Sequence, residues 1–101
     1  MDPGLDSISN IEGFEWDKGN THKNLEKHNV ANQESEEVFF NEPLIVNEDL
    51  RHSQVEKRLF CLGKTNKDRK LFINFTLRNN KIRIISARNM SKKEREVYEK
   101  I

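Results

Sequence analysis

Every second residue from Leu71 to Leu77 is apolar, with Leu71, Ile73, Phe75 and Leu77 on one side of the chain. A period of two is the mark of a strand with one buried face. Arg78-Asn79-Asn80-Lys81 follows, and asparagine tolerates the positive φ that a tight hairpin demands. Ile82 to Ala87 then returns as another strand. Upstream, Lys57 to Gly63 also reads as a strand, with Leu59 and Cys61 on one face and Arg58, Phe60 and Leu62 on the other. Lys64 to Lys70 is a basic turn joining it to the next. Three consecutive strands linked by short turns imply an antiparallel sheet, which cannot bury its apolar face alone. The rest of the chain must cover that face.

Phe14-Glu15-Trp16 alternates and suits a short strand, and Asp17 after it is a good helix N-cap. A helix is expected from about Lys18 to Asn29, with Leu25 as its clearest core residue and Asn29 as a left-handed terminator. Asn32 is placed to cap a second helix. Glu34, Glu36 and Glu37 fall in its early turns, where the helix dipole favours acids. Val38 and Phe39 form its apolar end, and Asn41-Glu42-Pro43 stops it. Leu44-Ile45-Val46 reads as an edge strand and Asn47 to Glu56 as a loop. Ser91-Lys92-Lys93-Glu94 is a capping box opening a last helix, whose Val97 and Ile101 are expected to face the sheet. The result is an α+β sandwich: a small antiparallel sheet, two N-terminal helices and a C-terminal helix, all packed to one side. Residues 1–13, rich in Gly, Pro, Ser, Asn and acids, are expected to form a disordered tail, and residues 14–101 the single domain.

The charge pattern is uneven. The net charge is +1 over 101 residues. Residues 1–56 carry 4 Lys and Arg against 13 Asp and Glu; residues 57–101 carry 14 against 4. Such asymmetry between halves is a prior for a surface that binds a polyanion. Hydrophobic residues make up 34% and charged residues 35%, so the core must be small. No run approaches the roughly 20 apolar residues of a membrane-spanning helix, which argues against an integral membrane protein. Met1 to Asp17 lacks the apolar stretch of a secretion signal, so a cytoplasmic location is expected.

Several chemistries are disfavoured by the residues themselves. Cys61 is the single cysteine, so an internal disulfide is impossible. His22, His28 and His52 show no metal-ligand spacing, and no metal or other cofactor is expected. With four glycines there is no phosphate-cradling loop, and no nucleophile elbow is present. Cys61 reads as a small buried hydrophobe.

The basic residues carry the signal. Arg58, Arg83 and Arg88 lie in or just after strands, Lys64, Lys67, Arg69 and Lys70 on the turn, and Lys92, Lys93 and Arg95 at the start of the last helix. Arginines on adjacent strands can converge on phosphates. The competing reading is a solvated face paired with acids from the other half. Arg83 and Arg88 are five apart, so in a regular strand they face opposite ways. Either that strand ends near Ser86 or Ala87, or one arginine is structural. Metal-free RNA cleavage needs a base for the 2′-hydroxyl, cations for the phosphate and an acid for the leaving oxygen. His28 or Glu56 could be the base, Arg58, Arg83 and Arg88 the cations, and Lys27 or Tyr98 auxiliary donors.

Three stretches resemble a known family. Phe14-Glu15-Trp16-Asp17, Asn24-Leu25-Glu26-Lys27-His28-Asn29-Val30 and Glu37-Val38-Phe39 resemble the opening of BrnT-type toxins. His52-Ser53, Glu56-Lys57-Arg58 and Leu62-Gly63 resemble its middle. Ile82-Arg83-Ile84-Ile85-Ser86-Ala87-Arg88, Glu94-Arg95 and Tyr98-Glu99 resemble its close. The likeness spans about residues 14–100, in order and spacing; Arg51 stands where the family often has an acid. It implies a RelE-like fold and an endoribonuclease that inhibits translation and growth. It also implies a cognate ribbon-helix-helix antitoxin of the BrnA kind, with operator DNA bound only through the toxin–antitoxin complex. Carried over to this chain, the family's polar positions fall on Lys27, His28, His52, Glu56, Arg58, Arg83, Ser86, Arg88 and Tyr98. Lys27, His28, Glu56, Arg58, Arg83 and Arg88 are then the expected catalytic set. Lys64, Arg69, Lys70, Lys92 and Tyr98 are the expected RNA contacts. The alternatives are a non-catalytic nucleic-acid-binding module, or a degenerate toxin kept as a co-repressor with its antitoxin.

Overall fold

The computed structural model describes residues 11–52 and 56–101. Strand β1 (Gly13–Phe14) is followed by helices α1 (Lys23–His28) and α2 (Asn32–Val38). Strand β2 (Ile45–Glu48) leads through a 3-10 turn (Leu50–His52) into β3 (Arg58–Lys64), β4 (Lys70–Arg78) and β5 (Lys81–Asn89), and helix α3 (Lys92–Tyr98) closes the chain. The five strands form one sheet in the order β1-β5-β4-β3-β2. The expected antiparallel ladder runs from β2 to β5, but β1 pairs with β5 in parallel, so the sheet is mixed. That parallel pairing is possible because α1 and α2 and three further strands separate the two in sequence, ample length for a crossover. Residues 1–10 of the expected tail lie outside the described residues. Ile11 packs against the core, and the Glu12 N–H donates to the Asn80 carbonyl at 2.7 Å.

The core forms where the alternation demanded it. Leu59, Cys61, Leu71, Ile73, Phe75, Ile82, Ile84 and Ala87 point to one face of the sheet and are buried. Val30 and Val38, flanking and ending the helical pair, close over them with Phe14, Trp16 and Phe39 at the margin. Phe39 meets Phe75 edge-on, with ring centroids 5.1 Å apart. The β4–β5 hairpin turns through Asn79 and Asn80, both in the left-handed region at φ 52° and 63°, as the sequence predicted. Burial pushes the Cys61 thiol up, leaving it inert packing.

Three helical expectations change. The first helix starts at Lys23 rather than Lys18, because Asp17 makes a local turn instead: its carboxylate accepts from the Gly19 N–H at 2.8 Å. Its buried residue is Asn24, while Leu25 is 50% exposed. The reason lies in β5. Strand β1 pairs only with Lys81 and Ile82, so the outer edge of β5 beyond it needs other partners. Asn20 donates to the Ile84 carbonyl and Asn24 accepts from the Ala87 N–H, both at 3.0 Å. The second helix is capped not by Asn32 but from Glu34, whose carboxylate accepts from the Ala31 N–H. The third begins with the expected Ser91–Glu94 capping box, yet buries Tyr98 instead of Val97 and Ile101. It also lies on the opposite face from α2. Tyr98 packs with Leu62 and Met90, and its hydroxyl donates to the Pro43 carbonyl at 2.6 Å. The helices are therefore not all on one side.

Gly63 permits a close approach between layers. A Cβ there would stand 2.5 Å from Val38 Cγ1 and 3.2 Å from Leu44 Cδ1. Gly63→Ala is expected to overpack α2 against β3 and cost about 1–3 kcal/mol. Urea unfolding measures this directly, and an unchanged midpoint would refute the packing argument.

Candidate functional site on the open sheet face

The two arginines of opposite parity are brought to one face by a bulge. Asn74 pairs with Ser86, but Phe75 pairs with Ile84, so Ile85 is an extra residue in β5. Ile82, Ile84 and Ala87 thereby stay in the core, while Arg83, Ser86 and Arg88 all turn outward. The early strand end does not hold, since the strand continues to Asn89 and the bulge restores the parity; the structural arginine is Arg83, which Glu15 and Asp17 engage.

The register then sets the face out in rows. Arg58, Thr76 and Arg83 stand side by side across β3, β4 and β5. The next row is Asn47, Phe60, Asn74 and Ser86, and the next is Ile45, Leu62, Phe72 and Arg88. Helix α3 covers the Leu62 end of the last row. At the centre the Ser86 hydroxyl donates to the Asn74 carbonyl oxygen at 3.5 Å, and the Asn74 amide donates to Asp49 at 3.1 Å. The Asp49 N–H in turn donates to the Arg58 carbonyl at 2.8 Å. Arg58, Asp49, Asn74 and Ser86 thus form a linked polar patch. Asp49 lies just beyond β2, in the stretch expected to be loop, and its bond to the Arg58 carbonyl sets it beside β3.

Beside that patch two aromatic rings stack. Phe60 and Phe72 lie with centroids 5.4 Å apart and planes at 20°. The Arg88 guanidinium sits 4.3 Å over the Phe72 centroid. Glu94 holds it there through two bonds at 2.8 and 3.0 Å, and the guanidinium lowers the Glu94 pKa.

The other predicted residues do not all converge. Lys27 and His28 are exposed at the end of α1, whose His28 and Asn29 carbonyls accept from Arg69. Arg69 also pairs with Glu34 at 3.0 Å and donates to Asn89, so it staples α1, α2 and β5 together. Glu56 binds Arg78, at 2.8 and 3.2 Å, rather than Arg58. Arg69 immediately precedes β4 and Arg78 ends it, so His28 and Glu56 stand roughly 30 Å apart, at opposite ends of the sheet. They cannot share one reacting phosphate. Arg83 is nearly enclosed: Glu15 accepts from it at 3.0 Å and Asp17 at 2.7 and 3.0 Å. Lys70 pairs with Asp68 at 3.4 Å and Glu99 at 3.9 Å; Lys64 is half-buried at the end of β3, and Lys92 is exposed on α3. Tyr98 is committed to packing and to the Pro43 carbonyl. His52 ends the 3-10 turn, and Ser53 lies outside the described residues.

The acidic and basic halves are thus laced together rather than displayed as two surfaces. Arg69–Glu34, Arg78–Glu15, Arg78–Glu56, Arg83–Glu15 and Arg83–Asp17 all join one half to the other. Hydrogen bonds from Arg83 hold the Asp17 carboxyl below its ordinary range, and those from Arg78 do the same for Glu56. At Glu34 burial opposes the charge, but the Ala31 N–H and Arg69 outweigh it. Carboxyls with depressed folded pKa values stabilise the fold above about pH 4 and lose that contribution as pH falls below it. The thermal midpoint is therefore expected to hold from pH 7 to about pH 5 and fall progressively below about pH 4.5. Melts between pH 7 and pH 2.5 check the sign; a midpoint that rises on acidification would contradict the lacing.

An apolar cleft of about 380 Å³ lies elsewhere, lined by Ile11, Phe14, Phe39, Phe40 and Ile82 with Glu12 and Gly13. Among the described residues Glu12 is the one ionisable group that lines it. Among the described residues no cluster of His, Cys, Asp and Glu is placed to hold a metal, and no helix is long and apolar enough to cross a membrane.

Fold and face together define a class: a small α+β protein whose uncovered sheet carries arginines, polar side chains and stacked rings. Single-stranded nucleic acid is met by surfaces of this chemistry. The family model of the ribonuclease toxin BrnT of type II toxin–antitoxin systems matches residues 16–94. The chain belongs to that family, and as a toxin of this type it has a cognate antitoxin as its partner. No match is found among curated proteins.

Proposed function

We propose that the protein is a metal-independent endoribonuclease that cuts RNA on the open sheet face and so inhibits translation and growth. The observation that carries the reading is the bulge at Ile85, which brings Ser86 and Arg88 onto the face that holds Arg58, Asp49 and Asn74. In this reaction the 2′-oxygen attacks the adjacent phosphorus in line. The new P–O2′ bond forms as the P–O5′ bond breaks, leaving a 2′,3′-cyclic phosphate and a 5′-hydroxyl. Asp49 takes the proton of the 2′-hydroxyl, because it is the carboxylate at the centre of the patch. Arg58 stabilises the charge that develops on the phosphate, while Arg88, already held by Glu94, braces the Phe72 ring at the rim. Solvent water protonates the departing 5′-oxygen. Arg83 is a positioning residue here, since two carboxylates already compensate its charge.

The same reading extends to the surroundings. The architecture is RelE-like, the protein acts in the cytoplasm, and its antitoxin is a BrnA-like ribbon-helix-helix protein. Operator DNA is reached through the toxin–antitoxin complex.

Incubating the purified protein with RNA in EDTA tests the central claim. New ends carrying 2′,3′-cyclic phosphate are the expected products. Cleavage that stops on chelation would overturn metal independence. Intact RNA with a salt-sensitive gel shift would favour a binding module instead.

A further inference from the structure

Phe60 is an anomaly on the open face. It is a large ring, only partly buried, and among the described residues it packs into neither hydrophobic cluster. A strand position facing solvent is served as well by Thr or Val, which share its β-propensity. Yet Phe60 is braced from one side by Phe72, which is braced in turn by the Arg88 guanidinium. Glu94 fixes that guanidinium, so ring, ring and cation form an ordered stack rather than a mobile side chain. The stack borders the polar patch directly, because Phe60 lies beside Asn74 in the ladder and two residues from Arg58 along β3. Exposed Asn47 flanks it on β2.

We propose that Phe60 is a stacking platform for one unpaired nucleobase next to the cleaved phosphodiester. The occupant is a base of single-stranded RNA, because a flat π surface is matched by a base and the neighbouring arginines by its phosphates. Asn47 stands where it can meet the edge of that base. Phe60 thereby fixes which nucleotide registers with Arg58 and Asp49. The inference rests on the reading of this face as the cleaving surface.

The test uses the full chain and a short RNA containing one mapped cleavage site. Each nucleotide flanking that site is replaced in turn by an abasic one. Wild-type protein is expected to lose roughly 5- to 150-fold in kcat/KM at one position, the range that one base–aromatic stack supports. Phe60→Leu keeps bulk but no π surface; it should show the same loss on intact RNA and no further loss on the abasic substrate. Phe60→Trp should retain cleavage. Thermal melts confirm that each variant is folded. Phe60→Leu cutting intact RNA at the wild-type rate, or wild-type indifference to every abasic position, would overturn the platform. Arg58→Ala on the same RNA separates the two ideas. If it abolishes cleavage while Phe60→Leu does not, the platform alone fails; if neither matters, or wild-type does not cut, the cleaving face fails with it.

Discussion

Arg58→Ala is expected to reduce RNA cleavage by at least about 100-fold, the usual consequence of removing one preorganised charge from a transition state. Arg58 is half-buried at the first residue of β3 and its backbone bonds survive the change, so the variant should remain folded. The contrast with Arg83 is what gives the experiment its force. Both arginines stand in one row on the open face, and from the sequence they looked equivalent. Arg83, however, holds Glu15 and Asp17 against the sheet. Its removal leaves Asp17 without its hydrogen-bonded cation and Glu15 with only the longer 3.7 Å contact to Arg78, so Arg83→Ala should lower the melting midpoint by roughly 5–10 °C. Arg58→Ala should therefore be folded and inactive, while Arg83→Ala should lose activity only as far as it loses structure. Asp49→Asn, which keeps the amide-sized side chain but removes the base, should match the kinetic loss of Arg58→Ala. Cleavage rates in EDTA paired with melting curves read out all three. An Arg58→Ala protein that cuts RNA at the wild-type rate would remove the proposed centre.

The face was half legible in the sequence. Alternation along β3 and β4 placed Arg58 and Phe60 opposite the core, and it did so correctly. The relation of Arg83 to Arg88 was not legible, because a bulge inside Ile84-Ile85-Ser86 leaves no mark. A run of apolar residues accepts an extra one without any Gly or Pro to signal it. Asp49 was hidden for another reason. Its role comes from the Asn74 amide 25 residues away, and a side chain in a polar linker carries no local sign of what it will face. The charge asymmetry was visible but its use was not. Net charges of halves say nothing about which acid meets which arginine, and the fold folds one half onto the other.

The helices show the same division. Asn79-Asn80 and Ser91–Glu94 are short-range chemistry, and both turned out as their residues dictate. Leu25 and Val97 failed as core residues because these helices are six and seven residues long, too short for a periodic stripe to outweigh local demands. Asn24 is buried to satisfy a strand edge, and Tyr98 to fill the space beside Leu62 and reach Pro43. Both demands come from partners distant in sequence.

Phe75→Ala should be the most damaging single change to the fold. Phe75 is fully buried at the middle of β4, lies opposite Leu59 and Ile84 in the ladder and meets Phe39 edge-on. Truncating such a ring costs about 3–5 kcal/mol in transfer and cavity terms. For a chain of this length that corresponds to a fall of about 15–30 °C in the melting midpoint. Total stability of a domain is typically about 5–15 kcal/mol, so a large share of the margin goes. The effect should reach the open face as well. Asn74 and Thr76 flank Phe75 and point the other way, and the bulge that turns Ser86 outward sits across from this same residue. Phe75→Leu keeps most of the volume and should cost less than about 1.5 kcal/mol, with cleavage preserved. Thermal and urea unfolding of both variants, alongside cleavage at 15 °C, tests the link. If Phe75→Ala melted within about 5 °C of wild type, the core centred on β4 would not be what holds the face in place.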